Sequence, residues 1–353
     1  MKRTKPVFLF LMLLFSAVAA YPQQDASGKF KKIKLVPDAD NKKVDILVEG
    51  ALFTSYIYPD VLKKPVLYPV KSSGGATITR GWPFKPRIGE RTDHPHHVGL
   101  WFNYGDVNGY DFWNNSPDAA RHHKGPFGTI RHRKIDKTVN GKDRGELFVS
   151  ADWLKADSSV ILREKSRFTF RATDDLRIID RTVTLRALKD TVYFKDNKEG
   201  LFAIRVAKEL EHPSTLADRY IDSSGLETKK AMVNNKGVTG HFISSEGKEG
   251  DAVWGTRAKW VALSGKIKDE KITLLILDHK RNPGYPAYWH ARGYGLFGAN
   301  SLGQAAMSGG KETLNFVLLP GESVTFSYRL LIFTEKELSK EEINRLHLDF
   351  IRQ

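Results

Sequence analysis

Seven of the eleven histidines fall in two short windows: His94, His96, His97, His122 and His123 in the first, His279 and His290 in the second. Imidazole is the side chain whose ordinary pKa lies nearest neutrality, so such clustering suits proton transfer or metal ligation. The segment Asp93-His94-Pro95-His96-His97-Val98-Gly99-Leu100-Trp101-Phe102 runs into an apolar strand start. On an extended backbone His94 and His96 point to one face and His97 to the other. Three readings stand here. One imidazole exchanges a proton while a neighbour orients it; His94 and His96 share a copper or zinc ion with a distant histidine; or the imidazoles hydrogen-bond a strand end.

In the second window His290 and Arg292 share a parity, which sets a base beside a fixed cation, and Trp289 points the other way into the core. An arginine so placed recognises a carboxylate, a sulfate or a developing oxyanion, or else pairs with a buried acid. His279 and Tyr294 flank this pair in the chain and join it as candidate binding residues. Between the windows, Glu199 at a strand start is the carboxylate candidate to partner a histidine, the alternative being an exposed turn glutamate. Arg205 lies on the same face of a straight strand, about 20 Å away, so both could line one groove.

The stretch Gly105-Asp106-Val107-Asn108-Gly109-Tyr110-Asp111-Phe112-Trp113 follows the first window. Trp101, Trp113 and Tyr110 suit stacking on a sugar ring, and Asp106, Asn108 and Asp111 suit binding its hydroxyls. The same acids and amide also suit turns in which they bond their own backbone. As a calcium loop the pattern is incomplete, because the closing glutamate is missing. The absence of cysteine removes thiolate metal sites, disulfides and cysteine nucleophiles, which leaves oxygen and imidazole for any chemistry.

The elements that must hold these residues read as strands. Leu147, Val149, Ala151 and Trp153 share one parity, as do Ile179, Val183, Leu185 and Ala187, and then Val324, Phe326, Tyr328, Leu330 and Ile332. Ile272 to Leu277 is apolar on both parities and so predicts a strand covered on both sides. Turn signals at Ser72-Ser73-Gly74-Gly75, Asn140-Gly141, Asp174-Asp175 and Pro320-Gly321 separate such runs. An all-β class follows, a large antiparallel β-sandwich over residues 21 to 335. Only residues 336 to 353 break the pattern. There Ser339 and Glu342 form a capping-box signature, with Leu338, Ile343, Leu346 and Phe350 near helical spacing, which predicts a helix packed on the sandwich.

Lys2, Arg3 and Lys5 ahead of an apolar run that ends Ser16-Ala17-Val18-Ala19-Ala20 predict a secretory signal peptide over residues 1 to 20 and export to a periplasm or beyond the cell. Its removal takes three cations and no acid, lowering the formal charge from +15 to +12. No later run is long enough to span a membrane as a helix. The basic residues are dispersed, most visibly at alternate positions Arg163, Lys165, Arg167 and Arg171, which predicts a solvated sheet face rather than a nucleic-acid groove and leaves a polyanionic glycan open. No motif calls for a cofactor.

The motifs DHPHHVGLWFNYGDVNGYDFW (93 to 113), KEGLFAIRVA (198 to 207), WGTRAKWVALSG (254 to 265) and DHKRNPGYPAYWHARGYGLFGANSLG (278 to 303) resemble those of a family of exported bacterial proteins, DUF6807, often labelled methane oxygenases. One departure is Lys280-Arg281, where the family pattern leads to a proline and a smaller residue. The label borrows from a membrane protein built of spanning helices, which this chain lacks, so methane oxidation is not expected. The Pro320-Gly321 turn before the last strand also resembles galactose-mutarotase-like sandwiches, whose histidines and a carboxylate act on sugar rings from a concave sheet. That resemblance implies His96 or His97 and His290 as acid/base residues with Glu199 as partner. Together the residues and resemblances predict an exported carbohydrate-active enzyme, a hydrolase, lyase or epimerase. A non-catalytic sugar-binding protein and a histidine-ligated metal enzyme are the alternatives.

Overall fold

The computed structural model describes residues 29 to 117, 119 and 125 to 353; the expected signal segment and His122 and His123 lie outside the described residues. Two eight-stranded antiparallel sheets face each other. In spatial order the first contains β1 (Ile33–Asp38), β2 (Lys43–Val48), β3 (Ala51–Ile57), β4 (Val66–Val70), β5 (Leu100–Tyr104), β11 (Gly200–Arg205), β16 (Leu296–Asn300) and β15 (Tyr288–Arg292). The second contains β12 (His241–Ser244), β13 (Trp260–Ile267), β14 (Glu270–Asp278), β18 (Ser323–Thr334), β9 (Leu176–Ala187), β8 (Val160–Ala172), β7 (Gly145–Leu154) and β6 (Thr129–Val139). Short strands β10 (Val192–Phe194) and β17 (Phe316–Leu318) pair at one side.

Alternation decides which side chains fill the space between the sheets. On β18 Phe326, Tyr328, Leu330 and Ile332 enter the central core, and Thr325, Ser327 and Arg329 take the other face. β14 is buried on both faces, as its uniform hydrophobicity predicts. Ile272, Leu274 and Ile276 face the central core, and Leu275 and Leu277 join a second apolar layer with Ile343 and Phe350. The helix α2 (Lys340–Ile351) supplies that layer. It starts four residues later than the expected 336, because Ser339 caps it: its hydroxyl accepts from the Glu342 N–H at 3.2 Å, and the Glu342 carboxylate accepts from the Ser339 N–H at 2.8 Å. Each large apolar side chain so covered contributes roughly 1.5–3 kcal/mol. A short helix, α1 (Gln304–Ser308), has no counterpart in the sequence reading.

The outer face of the first sheet carries a third apolar cluster of Val66, Tyr68, Val98, Trp101, Trp113, Ala203 and Leu296. The strand order β5-β11-β16-β15 explains how distant segments share it. Trp101 lies opposite Ala203, Ala203 opposite Gly298, and Gly298 opposite His290, one continuous row across four strands. A β-carbon on Gly298 would stand 2.8 Å from that of Ala203, so the row stays low between its two ends. The Trp113 ring stacks near His290, centroids 6.3 Å apart, and lies 5.4 Å from Trp101.

Candidate active site

The histidine segment enters this face through a turn rather than a strand. His94 has φ +46°, and the His97 N–H bonds back to the His94 carbonyl at 3.0 Å. The expectation that His97 points away from His94 and His96 is therefore corrected: an extended chain would separate them, but the left-handed residue folds the three imidazoles together. His94 and His97 stack at 4.7 Å, and His96 meets His97 edge-on at 4.4 Å. Gly99 makes the step into β5 possible. Its φ is +64°, and a β-carbon there would lie 2.2 Å from the Leu67 carbonyl oxygen.

A buried arginine holds the turn in shape. Arg80 donates to the carbonyls of Arg91, Asp93, His94 and His97 at 2.8 to 3.3 Å, and to the Asp93 carboxylate at 2.8 Å. Arg205, fully buried on β11, grips the same carboxylate with both terminal nitrogens, at 2.5 and 3.1 Å. Burial opposes ionisation of Asp93, but Arg205, the His94 hydrogen bond and Arg80 outweigh it and hold the carboxyl well below the usual range. Burial, reinforced by the neighbouring Arg205, brings Arg80 down to about 9. A left-handed non-glycine residue costs about 1–3 kcal/mol, and such strain gathers where geometry serves function.

Asp93 also orders His94. Its second oxygen lies 2.5 Å from His94 Nδ1, and the anionic carboxylate accepts there. Nε2 is left as the ring nitrogen that Asp93 does not engage. The His94 side chain is 39% exposed, whereas His97 is buried, so His94 presents the imidazole that a ligand reaches. His97 Nδ1 accepts from Arg205 at 3.3 Å. Burial, then the other two imidazoles and the arginines, push His97 well below its ordinary value and keep it neutral.

Opposite stands a second histidine and carboxylate. His290 Nδ1 lies 3.5 Å from Glu199 Oε2, longer than a good hydrogen bond and within ion-pair range. Burial, with Lys198 and Arg292 adding to it, brings His290 down to about 3. It is thus a neutral imidazole, suited to donating or accepting one hydrogen bond rather than to taking a proton. Tyr294 packs on the first pair: its ring stacks on His94 at 5.0 Å, and the Arg205 guanidinium sits 4.9 Å above it. Burial pushes Tyr294 up to about 12, with Arg205 pulling the other way. Arg292 lies over the Trp254 ring at 4.7 Å, and among the described residues it has no carboxylate partner. His94, His96, His97, Glu199, Arg205, His290, Arg292 and Tyr294 therefore meet in one region.

Other expected residues do not join it as ligand-binding groups. Trp101 and Trp113 are buried and pack on imidazoles, so no sugar ring reaches their faces. Asp106 accepts from the Gly109 N–H, and Asp111 from the N–H groups of Trp113 and Asn114, as turn residues do. Asn108 bonds the Thr191 carbonyl and the Tyr193 N–H, tying its loop to β10. His279 belongs to the opposite face of the molecule. It follows directly on β14 of the second sheet, beside Phe350, because the chain crosses from one sheet to the other between Asp278 and Tyr288.

Sequence reasoning missed Arg80, the role of Asp93, and Lys64. Lys64 is buried, donates to the His96 carbonyl at 2.8 Å and lies 5.4 Å from the Trp101 ring centre; burial brings it down to about 7, with Asp111 countering. Asp93 was visible as the neighbour of His94. Nothing local marks Arg80 or Lys64. Among the described residues no three histidine, aspartate or glutamate side chains stand in metal-holding geometry, and no helix is long and apolar enough to cross a membrane.

The buried histidines make stability depend on pH. His97 and His347 are lowered by burial, His132 and His279 to about 4 and His290 to about 3. The unfolded chain takes up protons on these near pH 6.5 that the folded chain refuses, so stability falls as pH drops from about 6.5 toward 4. Asp278 and Glu211, both raised to about 7 by burial, act oppositely over that range, and five histidines outweigh them. The Tm is expected to fall by several degrees between pH 7 and pH 4.5 in a thermal melt; a Tm that rises over that range contradicts this.

Several solved structures share the fold distantly. The GH36 alpha-galactosidase AgaB from Geobacillus stearothermophilus is 11% identical at a TM-score of 0.39, covering 86% of this chain and 41% of that one. Galactose 1-epimerase from Lactobacillus acidophilus is 11% identical at 0.36, covering 88% and 100%. A galactose mutarotase-like protein from Clostridium acetobutylicum is 12% identical at 0.32, covering 86% and 98%. The chain spans about two fifths of the length of the two galactosidases it matches, at 41% and 42%. Likeness this distant carries no conclusion about chemistry. No curated protein sequence matches the chain. The model of a family of unknown function, DUF6807, matches residues 43–347, and the chain belongs to that family.

Proposed function

We propose that this protein is an exported carbohydrate-active enzyme whose acid/base residue is His94, oriented by Asp93, with His290 and Glu199 on the same sheet face. The observation that carries this reading is the hydrogen bond from His94 to the Asp93 carboxylate, with a second imidazole, His290, brought to the same sheet face 3.5 Å from Glu199 by a segment nearly two hundred residues away. A carboxylate on Nδ1 fixes the tautomer and supports positive charge as Nε2 takes a proton from a sugar hydroxyl or ring carbon. His290, as buried as His97, is a neutral hydrogen-bonding group behind the site, and Arg292, free of any carboxylate partner among the described residues, stabilises developing negative charge. His97, assigned acid/base work from the sequence, takes a supporting part here, because burial and Arg205 keep it neutral. The signal-peptide pattern supports export.

The test is to incubate the chain from residue 21 onward with a panel of glycosides and free sugars and follow the anomeric proton signals by NMR. At least one sugar is expected to change faster than its spontaneous rate, and the change is expected to vanish with His94→Ala. Saturable sugar binding without turnover would favour a binding protein instead. Neither binding nor turnover with any sugar would overturn the carbohydrate reading.

A further inference from the structure

On the opposite side of the molecule the outer face of the second sheet forms an open groove of about 920 Å³, a size within the range of ligand sites. β8 and β9 supply one part of its floor and β18 another, so the floor is largely hydroxyls, among them Thr169, Thr182 and Thr325. Phe350 of α2 and Arg281 of the β14–β15 connection wall one side, and Arg144 of the β6–β7 turn also lines the groove.

Its charge is unbalanced. Arg167 pairs with Glu146. Asp180 serves two cations at once, Arg171 at 2.7 Å and Arg329 at 2.5 Å. Arg144 and Arg281 are exposed, and among the described residues neither has a carboxylate within ion-pairing distance. Counting side chains alone, five arginines stand against two carboxylates in and around one groove with several hydroxyls on its floor. Along β8 the groove is lined by Arg167 and Arg171, with Thr169 between them, so these two arginines stand about 13 Å apart.

We infer that this groove binds an acidic polysaccharide, a chain of uronate sugars, independently of the histidine cleft on the other sheet. Guanidinium groups match carboxylates in a fork of two parallel hydrogen bonds, and floor hydroxyls match sugar hydroxyls. A single-stranded nucleic acid fits less well. It needs a series of aromatic platforms, and the groove offers only Phe350 and the His279 imidazole, set edge-on to each other.

The test is affinity electrophoresis and calorimetry of the purified chain with polygalacturonate, with neutral dextran and with single-stranded DNA. Polygalacturonate is expected to retard the protein, to lose its hold as salt rises, and to bind about tenfold more weakly to an Arg144→Gln/Arg281→Gln double variant. Both residues are exposed and make no ion pair among the described residues, so the double variant is expected to melt like the parent. A His94→Ala variant should bind polygalacturonate unchanged, which separates this inference from the proposed catalysis. No retardation at low salt, equal retardation of the double variant, or tighter binding of DNA than of polygalacturonate would each overturn it.

Discussion

Replacing His94 by alanine is expected to lower kcat/KM on the carbohydrate substrate by about 10²- to 10⁴-fold, the range that a positioned acid/base group supplies, with the melting temperature changed by only a few degrees. The two halves of that expectation have separate causes. His94 is the imidazole of the cluster that Asp93 orients and that remains 39% exposed, which is why proton exchange is proposed for it. Being partly exposed, it leaves no sealed cavity when it is cut back, and the cost to stability is small. Steady-state kinetics beside a thermal melt reads both. Unchanged kcat/KM would remove His94 from the chemistry.

Asp93→Ala is expected to act on stability, by about 3–5 kcal/mol, because it removes the one carboxylate that Arg80 and Arg205 share in the protein interior. Breaking such a pair leaves two buried guanidinium groups facing each other with only the more distant charges of Glu90 and Glu211 against them. The same carboxylate makes a pH-dependent contribution. Its folded pKa lies below the unfolded one, so its contribution is present above about pH 4 and is lost as pH falls through the folded value. Urea denaturation at pH 7 measures the loss; a change under about 1 kcal/mol would show that the arginines need no anion. Asp93→Asn separates charge from shape, since it keeps an acceptor for the arginines and drops the negative charge.

The sandwich was legible where apolar and polar side chains alternate along a strand, even where, as on β7, both faces are buried. Strands β7, β9 and β18 announce themselves by strict alternation, and β14 by apolarity on both parities once α2 covers its outer side. Local signals also fixed the helix cap at Ser339. Conformations set by distant partners were not legible. The φ of His94 is held by Arg80, which sits fourteen residues earlier and bonds four backbone carbonyls, and no side-chain pattern encodes such contacts. Extended-chain parity therefore sent His97 to the wrong face.

His279 shows the same limit at larger scale. It shares a sequence window with His290, yet the chain changes sheets between them, so nearness in sequence became separation in space. Trp101 and Trp113 were read by chemistry alone, as rings fit for sugar, and their burial could be known only once Ala203 and Gly298 had been seen to leave a trough that Trp113 fills. The meeting of Glu199 with His290 follows from the strand order β5-β11-β16-β15, which pairing across the chain decides.

The most direct test of the account is a double-mutant cycle on kcat/KM joining His94→Ala and His290→Ala. If the two imidazoles serve one substrate in one cleft, the double variant is expected to lose little more than the worse single variant, because groups that act as a unit are non-additive. Losses that multiply independently would place the two histidines in separate events and contradict a shared site.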